Sequence, residues 1–552
     1  MSEVYDFVIV GSGGGSMCAA LVLRAAGKSV LVLEKAPLVG GTTAVSGGVM
    51  WIPNNRFMKE AGVADSPEQA VAYLDAAVGD DPAALGASKA RRQAYVAQAP
   101  EMLEFLISQG LKFRRIPEWP DFYSDLPGGS QKGRTVVSQL FDVNQLGAWK
   151  AKLRPGFLPL PANLDEAFQL AWIKRSGEAR KTLGKVIFRA IGALLKGKRL
   201  VTAGNALQAQ LLDAALKAGV EVRTEAPVKK LIVKDERVCG VVAEANGAET
   251  PIEARLGVLI NAGGFARNQA MLDEYIPGTS AEWTAVPEGD TGDLIKEGVR
   301  IGAAIAQMGE RVGMPVALTP DRKGSPPGVQ NDMGKPHAII VDQEGVRYTN
   351  ESASYDAFCR AQRARAKAVP SWLIMDSQFL GQYMLAGTQP GKKPKAWLEG
   401  GFLKSGETLA ELAQSCNLPA DALAATVERF NRFAKAGKDE DFGRGDSAND
   451  KFGGDPEHGP NPCLGALEQG PFYALQVYPG DVSTFGGLVT DEWARVLRPD
   501  GSAIAGLYAT GTSTASVFGS VEPGPGGSVG PSFTWGFVAA KHALNRNETL
   551  PV

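Results

Sequence analysis

Apolar positions along this chain change period several times, and the first change comes within the opening thirty-five residues. Tyr5–Val10 is a short apolar run that stops at Gly11, the pattern of a strand buried on both faces. Ser16–Ala26 spaces its apolar residues at helical intervals, and Ser29–Glu34 returns to a short apolar run ending on an acid. Strand, turn, helix and strand in this order predict a βαβ unit. Thr202–Val233 predicts helix then strand, and Val258–Asn268 a strand ending on glycines. Glu407–Gly437 predicts two helices flanking NLPAD, with Asp421 as the N-cap of the second. Ser528–Leu544 predicts a C-terminal helix, and the polar stretch Lys438–Pro462 an exposed loop.

One segment has a second reading. Trp172–Leu200 carries nine Lys/Arg and one Glu, while Val186, Ile187, Ile191, Leu194 and Leu195 can share one helical face. A surface helix packed on the first domain fits this pattern. So does a peripheral membrane contact.

At 552 residues the chain exceeds one simple core, so two or more domains are expected. The elements predict an α/β fold. A discontinuous Rossmann-like domain takes residues 1–305 and 480–552, and an inserted α+β substrate-binding domain takes 306–479. Net charge is −2, which provides no basic field for nucleic acid. The five cysteines are scattered without a CxxC, so no metal site is expected and a reducing cytoplasm is. No signal-peptide pattern or bilayer-spanning apolar run is read.

Chemistry enters at the first turn. Gly11, Gly13, Gly14 and Gly15 open the predicted helix, with Ser16 in place of the last glycine of GxGxxG. Such a turn sets backbone N–H groups and a helix N-terminus against a pyrophosphate, and Glu34 can accept from a ribose. A second glycine-rich, hydroxyl-rich loop, GGTTAVSGGVMWIPNN, follows at Gly40–Asn55. His337, His458 and His542 lie in no recognisable catalytic setting, so acid–base work falls to Tyr, Asp, Glu or backbone.

These motifs, with GDTGDLIKEGVRIGA (Gly289–Ala303) and GLYATGTSTAS (Gly506–Ser516), resemble the fumarate reductase/3-ketosteroid dehydrogenase flavoprotein superfamily over nearly the whole chain. The resemblance implies FAD. It assigns Lys35, Gly41, Thr42, Thr43, Ser46, Gly47 and Gly48 to the cofactor. It also assigns Val228 near adenine, and Ala262, Gly263, Gly511, Gly527, Ser528 and Val529. No histidine lies near Gly40–Gly48, so noncovalent FAD is expected. There is no second dinucleotide fingerprint, so electrons are expected to leave to a quinone-like or other small acceptor.

VDQEGVRYTNESASYDAFCRA (Val341–Ala361) resembles the base-bearing stretch of 3-ketosteroid Δ1-dehydrogenases, which implies Tyr355 as the base. Pro117–Thr135 resembles their substrate-rim loop, with Tyr123 as the assisting aromatic and Phe122 its competitor. Their tail reads roughly GHTYPGPG, whose tyrosine and last glycine hold the ketone oxygen. This chain has GSVEPGPG, so Gly526 keeps the backbone donor and Glu522 replaces the tyrosine. Glu522 can be a protonated donor, a base, or structural. The expected activity is dehydrogenation beside the ketone of a small apolar steroid or other cyclic ketone, with the proton going to Tyr355 and hydride to FAD N5. A Δ4-type desaturase, an ene-reductase, and a flavin-binding electron carrier with a degenerate site are the alternatives. The expected location is the cytoplasm, with peripheral membrane association if 172–200 binds lipid.

Overall fold

The structure is a computed structural model describing residues 3–245, 247–320, 324–391 and 393–545. Its largest sheet has eight strands. Five of them run parallel, in the spatial order Glu221–Arg223, Val30–Leu33, Glu3–Val10, Ala248–Ile260 and Ala503–Ala509. Alternate side chains of these strands enter two separate cores. Phe7, Ile9, Val30 and Val32 face one, and Val8, Val10, Leu31 and Leu33 face the other. Burial on both faces explains why the sequence shows continuous apolar runs here.

The first helix is Gly14–Ala25, starting two residues earlier than its apolar spacing suggests, and the second strand is Val30–Leu33. This helix is buried along most of its length because it packs against both Ala203–Lys217 and the C-terminal helix Val529–Leu544. A small three-stranded sheet, Val49–Trp51, Thr135–Ser138 and Phe113–Arg115, lies beside the start of the C-terminal helix.

A second sheet of five antiparallel strands comprises Arg311–Val316, Phe472–Thr484, Ser371–Met375, Ala338–Val341 and Leu403–Gly406. The strand Phe472–Thr484 runs through the position read as the 479/480 boundary. Two sequence expectations change in this region. The helix expected to be capped by Asp421 begins at Ala420 with Pro419 at the cap, which puts Asp421 in the first turn near the helix's positive end. Lys438–Pro462 is not a free polar loop. Asp439 pairs with Arg347 and Arg444 with Glu351, all nearly fully buried, and Ala448–Gly453 is helical. Its charges are satisfied by buried partners, which a polarity count along the chain does not reveal.

Candidate active site

The first glycine turn has its residues fixed by close contacts. Gly11 has φ of +96°, and a Cβ there would lie 2.1 Å from the Asn261 carbonyl oxygen, so only glycine fits. Gly14 and Gly15 face the C-terminal helix, the first against Phe533 and the second against Ser532. Ser16, in place of the third glycine, is buried and accepts from Asn261 Nδ2 at 2.9 Å.

The second loop bonds directly to the first. Gly14 N donates to Thr43 Oγ1 at 3.1 Å, and Gly40 N to Ser12 Oγ at 2.9 Å. Gly41 and Thr42 lie with Thr43 in the short helix Gly41–Val45. Ser46 Oγ accepts from Gly48 N at 3.0 Å, and Gly47 faces Leu164. Glu34 is buried and accepts from Ser12 N (3.1 Å), Ser12 Oγ (2.5 Å) and Ala36 N (2.8 Å). Its carboxylate therefore shapes the first turn. Ala226 N donates to the Glu34 carbonyl at 2.9 Å, which places Val228, at the head of the next strand, beside the same end. Lys35 turns away to Thr291 Oγ1 (2.7 Å) and Asp293 (2.8 Å).

At the far end, Ala262 N donates to Ser513 Oγ at 2.9 Å, and Gly263 packs on buried Asp290. Burial raises Asp290 to about 7, with the amides of Gly264 and Ala266 and Lys35 opposing. Gly511 faces the Asn261 side chain. These residues fit a flavin dinucleotide. Gly41 has φ of +49°, and a Cβ there would lie 3.9 Å from Gly13 Cα, so the two glycine loops approach each other closely. Buried Gln208 Oε1 beside Ser12 has no partner among the described residues.

The catalytic candidates meet where the two large units join. Ser354 caps the helix Tyr355–Ala364, accepting from Ala357 N at 3.3 Å, and so orients Tyr355 at the first helical position. From the other unit comes the turn Glu522–Ser528, closed by Gly527 N donating to Gly524 O at 3.0 Å. Gly526 has φ of +95°, and a Cβ there would lie 2.6 Å from Val49 O. Its carbonyl accepts from Trp51 N at 3.2 Å. Val529 then starts the final helix, with Ser528 at the cap.

Tyr355 Oη donates directly to Glu522 Oε2. Glu522 is fully buried, and its Oε1 has no partner among the described residues. Burial raises Glu522 to about 8. The Tyr355 hydroxyl opposes the shift, Asp356 adds to it, and the Ser528 hydroxyl again opposes. Burial also pushes Tyr355 well above the usual phenol value, with the Glu522 charge and hydrogen bond, Asp356 and Tyr123 adding to the shift. Asp356 is itself raised to about 6 by burial, against the pull of its ion-pair partner Arg360.

The rim loop supplies both of its aromatics. The Phe122 ring stands edge-on to Tyr355, centroids 5.3 Å apart, and Tyr123 Oη lies 3.3 Å from Ser354 Oγ. Phe122 N donates to Pro523 O at 3.1 Å, which ties this loop to the Glu522 turn. Sequence reasoning missed the ionic brace behind it. Asp121 accepts from Trp51 Nε1 (2.7 Å), Ser130 N (3.0 Å) and Arg134 Nη1 (2.8 Å), and Arg134 also pairs with Asp65. It also missed Asn261. Sequence reasoning also passed over Asp356 and Arg360, whose i,i+4 spacing is a local signal for the pair, whereas Asp65, Asp121 and Arg134 are too dispersed to be read together. His337 and His458 bond the Ala466 and Leu464 carbonyls at 2.8 Å each, away from the site.

A family model described as an FAD binding domain matches residues 6–529. A 3-oxosteroid 1-dehydrogenase of Mycolicibacterium smegmatis is 40% identical over 98% of this chain and 97% of its own. A 4-oxocyclohexanecarboxylate 2-dehydrogenase of Sinomonas cyclohexanicum is 36% identical over 98% of this chain and 92% of its own. The crystal structure of 3-ketosteroid Δ1-dehydrogenase from Sterolibacterium denitrificans, in complex with 1,4-androstadiene-3,17-dione, superposes with a TM-score of 0.92. It is 37% identical and covers 99% of this chain and 100% of that one. With this fold, these glycine loops and these matches, the chain belongs to the FAD-binding-domain flavoproteins, and within them to the 3-oxosteroid 1-dehydrogenase family of FAD-dependent dehydrogenases.

Proposed function

We propose that this enzyme introduces a C=C bond beside the ketone of a 3-ketosteroid or another apolar cyclic ketone, with Tyr355 and Glu522 acting as one proton relay. The single observation that carries this reading is the direct hydrogen bond from Tyr355 Oη to Glu522 Oε2. A phenol held above its ordinary pKa is a poor base alone. Here it can take the proton from the carbon beside the ketone while passing its own to Glu522. The carboxylate becomes neutral as negative charge moves onto the ketone oxygen, so the repulsion expected from a fixed charge is relieved in the same step. Gly526 N–H, which has no backbone acceptor among the described residues, is the donor for that oxygen. Tyr123, through Ser354, and Phe122, against the ring, position the phenol.

FAD bound noncovalently supplies the hydride acceptor for the β C–H. The Gly11–Ser16 turn, with Thr43 beside it, would hold the pyrophosphate, and Glu34 at the end of the second strand would accept from the ribose. Gly527, Ser528 and Val529 open the final helix, whose N-terminus would favour negative charge on a reduced flavin bound beside it. The proposal extends to a quinone-like or other small molecule as reoxidant and to a cytoplasmic setting with peripheral membrane contact through residues 172–200.

A second reading rests on the unpartnered Oε1. A protonated Glu522 would donate to the ketone oxygen from that atom, with Oε2 still accepting from Tyr355. Glu522→Gln separates the two. The relay predicts loss of turnover, and the donor reading predicts retention, since the amide still donates. The test of the activity itself is anaerobic addition of 3-ketosteroids and cyclohexanones to the holoenzyme. Flavin bleaching is expected, and no bleaching by any ketone would leave a flavin-binding carrier instead.

A further inference from the structure

The hydrogen bond from Tyr355 to Glu522 crosses between two units of the fold, and its two ends are fixed separately. The helix Tyr355–Ala364 lies tight on the strand Arg311–Val316. A Cβ on Gly313 would lie 2.6 Å from Cys359 Cβ and 3.2 Å from Asp356 Cα, so this helix is seated on the sheet of its own unit. The Glu522 turn belongs to the other unit, and its later half is tied there. Pro523 O accepts from Phe122 N at 3.1 Å and from the Tyr73 hydroxyl, and Pro525 O accepts from Thr135 Oγ1 at 3.0 Å.

The earlier half of the turn is held from across the boundary. Arg360 follows Asp356 at i,i+4 on the Tyr355 helix. Its Nη1 donates to Asp356 Oδ2 and to the carbonyl of Ser520, just ahead of Glu522. Among the described residues, Arg360 to Ser520 and Tyr355 to Glu522 are the hydrogen bonds that join this helix to the segment 516–528. The Tyr123 hydroxyl neighbours the same guanidinium, which brings the rim loop to it as well. A guanidinium spreads its donors over a rigid plane, so one side chain can satisfy a carboxylate and hold a carbonyl together.

The surrounding charges agree with that role. Asp356 is fully buried, and Arg360, with its side chain 28% exposed, is its ion-pair partner. Glu310 adds negative charge around Asp356 and lies 3.6 Å from Arg363, while Asp356 adds to the negative charge around Glu522. We propose that Arg360 is a positioning residue of this site: by fastening Ser520 O to the Tyr355 helix it keeps Glu522 within hydrogen-bond reach of the Tyr355 hydroxyl. Proton transfer needs heavy atoms roughly 2.6–3.2 Å apart, and a displacement of about 1 Å can cost about 10²-fold in rate. The anchoring stands on the bonds of Arg360, and only its effect on turnover rests on the catalytic reading above.

Steady-state kinetics and hydrogen exchange of the holoenzyme test this. Arg360→Gln is expected to lower kcat about 10²-fold, with KM for the ketone and FAD content within about twofold of wild type, because the guanidinium acts through the turn. Arg360→Lys, which keeps the charge and a donor, should recover most of that loss. The double variant Asp356→Asn/Arg360→Gln removes the ion pair without leaving a lone buried charge, and should stay as slow as Arg360→Gln because Ser520 O is still released. In both Gln-bearing variants the amides of residues 516–528 should exchange faster than in wild type, read by mass spectrometry. Arg360→Gln with wild-type kcat overturns the proposal. So does a double variant that regains wild-type kcat, since the guanidinium would then serve only to neutralise Asp356. Unchanged exchange at 516–528 overturns it too. If Arg360→Gln fails to fold, the Lys and double variants decide the same question. Wild type that bleaches with no ketone fails the catalytic reading, while exchange at 516–528 still decides the anchoring.

Discussion

At the scale of the residue, Glu522 sets opposing demands. Its carboxyl is raised from the usual 4.5 to about 8. The relay needs it ionised, so kcat/KM is expected to rise as pH passes through about 8 and to level off above. Folding has the opposite sign. A carboxyl whose folded pKa is raised supports the fold fully below its unfolded value and loses that support as pH rises toward 8. Thermal scans should therefore show the wild-type Tm falling between about pH 5 and 8, and Glu522→Gln flattening that fall. Under the relay the same variant loses about 10²–10⁴-fold in turnover. Tyr355→Phe should lose a similar factor with FAD content unchanged, measured by flavin absorbance against protein. Wild-type kcat/KM that falls through pH 8 would favour the protonated donor.

At the scale of the element, the C-terminal helix is positioned by glycines on its partner. A Cβ on Gly14 would lie 2.1 Å from the Phe533 ring, and one on Gly15 2.2 Å from Ser532 O. Gly14→Ala should therefore push Val529–Leu544 off the first helix, costing about 1–3 kcal/mol. Weaker retention of FAD on gel filtration, together with a lower Tm, is the expected result. Gly526→Ala acts on the turn instead, since its Cβ meets Val49 O. Turnover should fall there while FAD stays bound, because the cradle formed by Gly11–Ser16 is untouched. The parallel strands and these helices were legible because burial on one or two faces leaves its period in the sequence. The cap at Pro419 and the interior course of Lys438–Pro462 were not, because each depends on partners distant in sequence.

At the scale of the whole molecule, the site exists because two units and a rim loop are held in register. Asp121 is central to that. Burial raises it to about 6, and the charge of Arg134 is the largest effect opposing the shift. Asp121→Asn would leave Asp65 as the carboxylate paired with Arg134, and should cost about 3 kcal/mol or more in urea denaturation while raising KM for the ketone. The sequence by itself determined the α/β class and the dinucleotide turn, since each is a local pattern of period or glycine, and its resemblance to the Δ1-dehydrogenase stretches singled out Tyr355 and Glu522 as candidates. Tertiary structure alone decided that Tyr355 donates to Glu522, 167 positions along the chain. It also decided that Glu522 is buried with one oxygen unpartnered, and that the helix Gly177–Leu195 of the basic segment turns its apolar face outward. The reason is physical. Periodicity records which face of an element is buried, but a pKa, a proton path and an exposed face depend on what lies opposite, and that is fixed only when distant segments pack together.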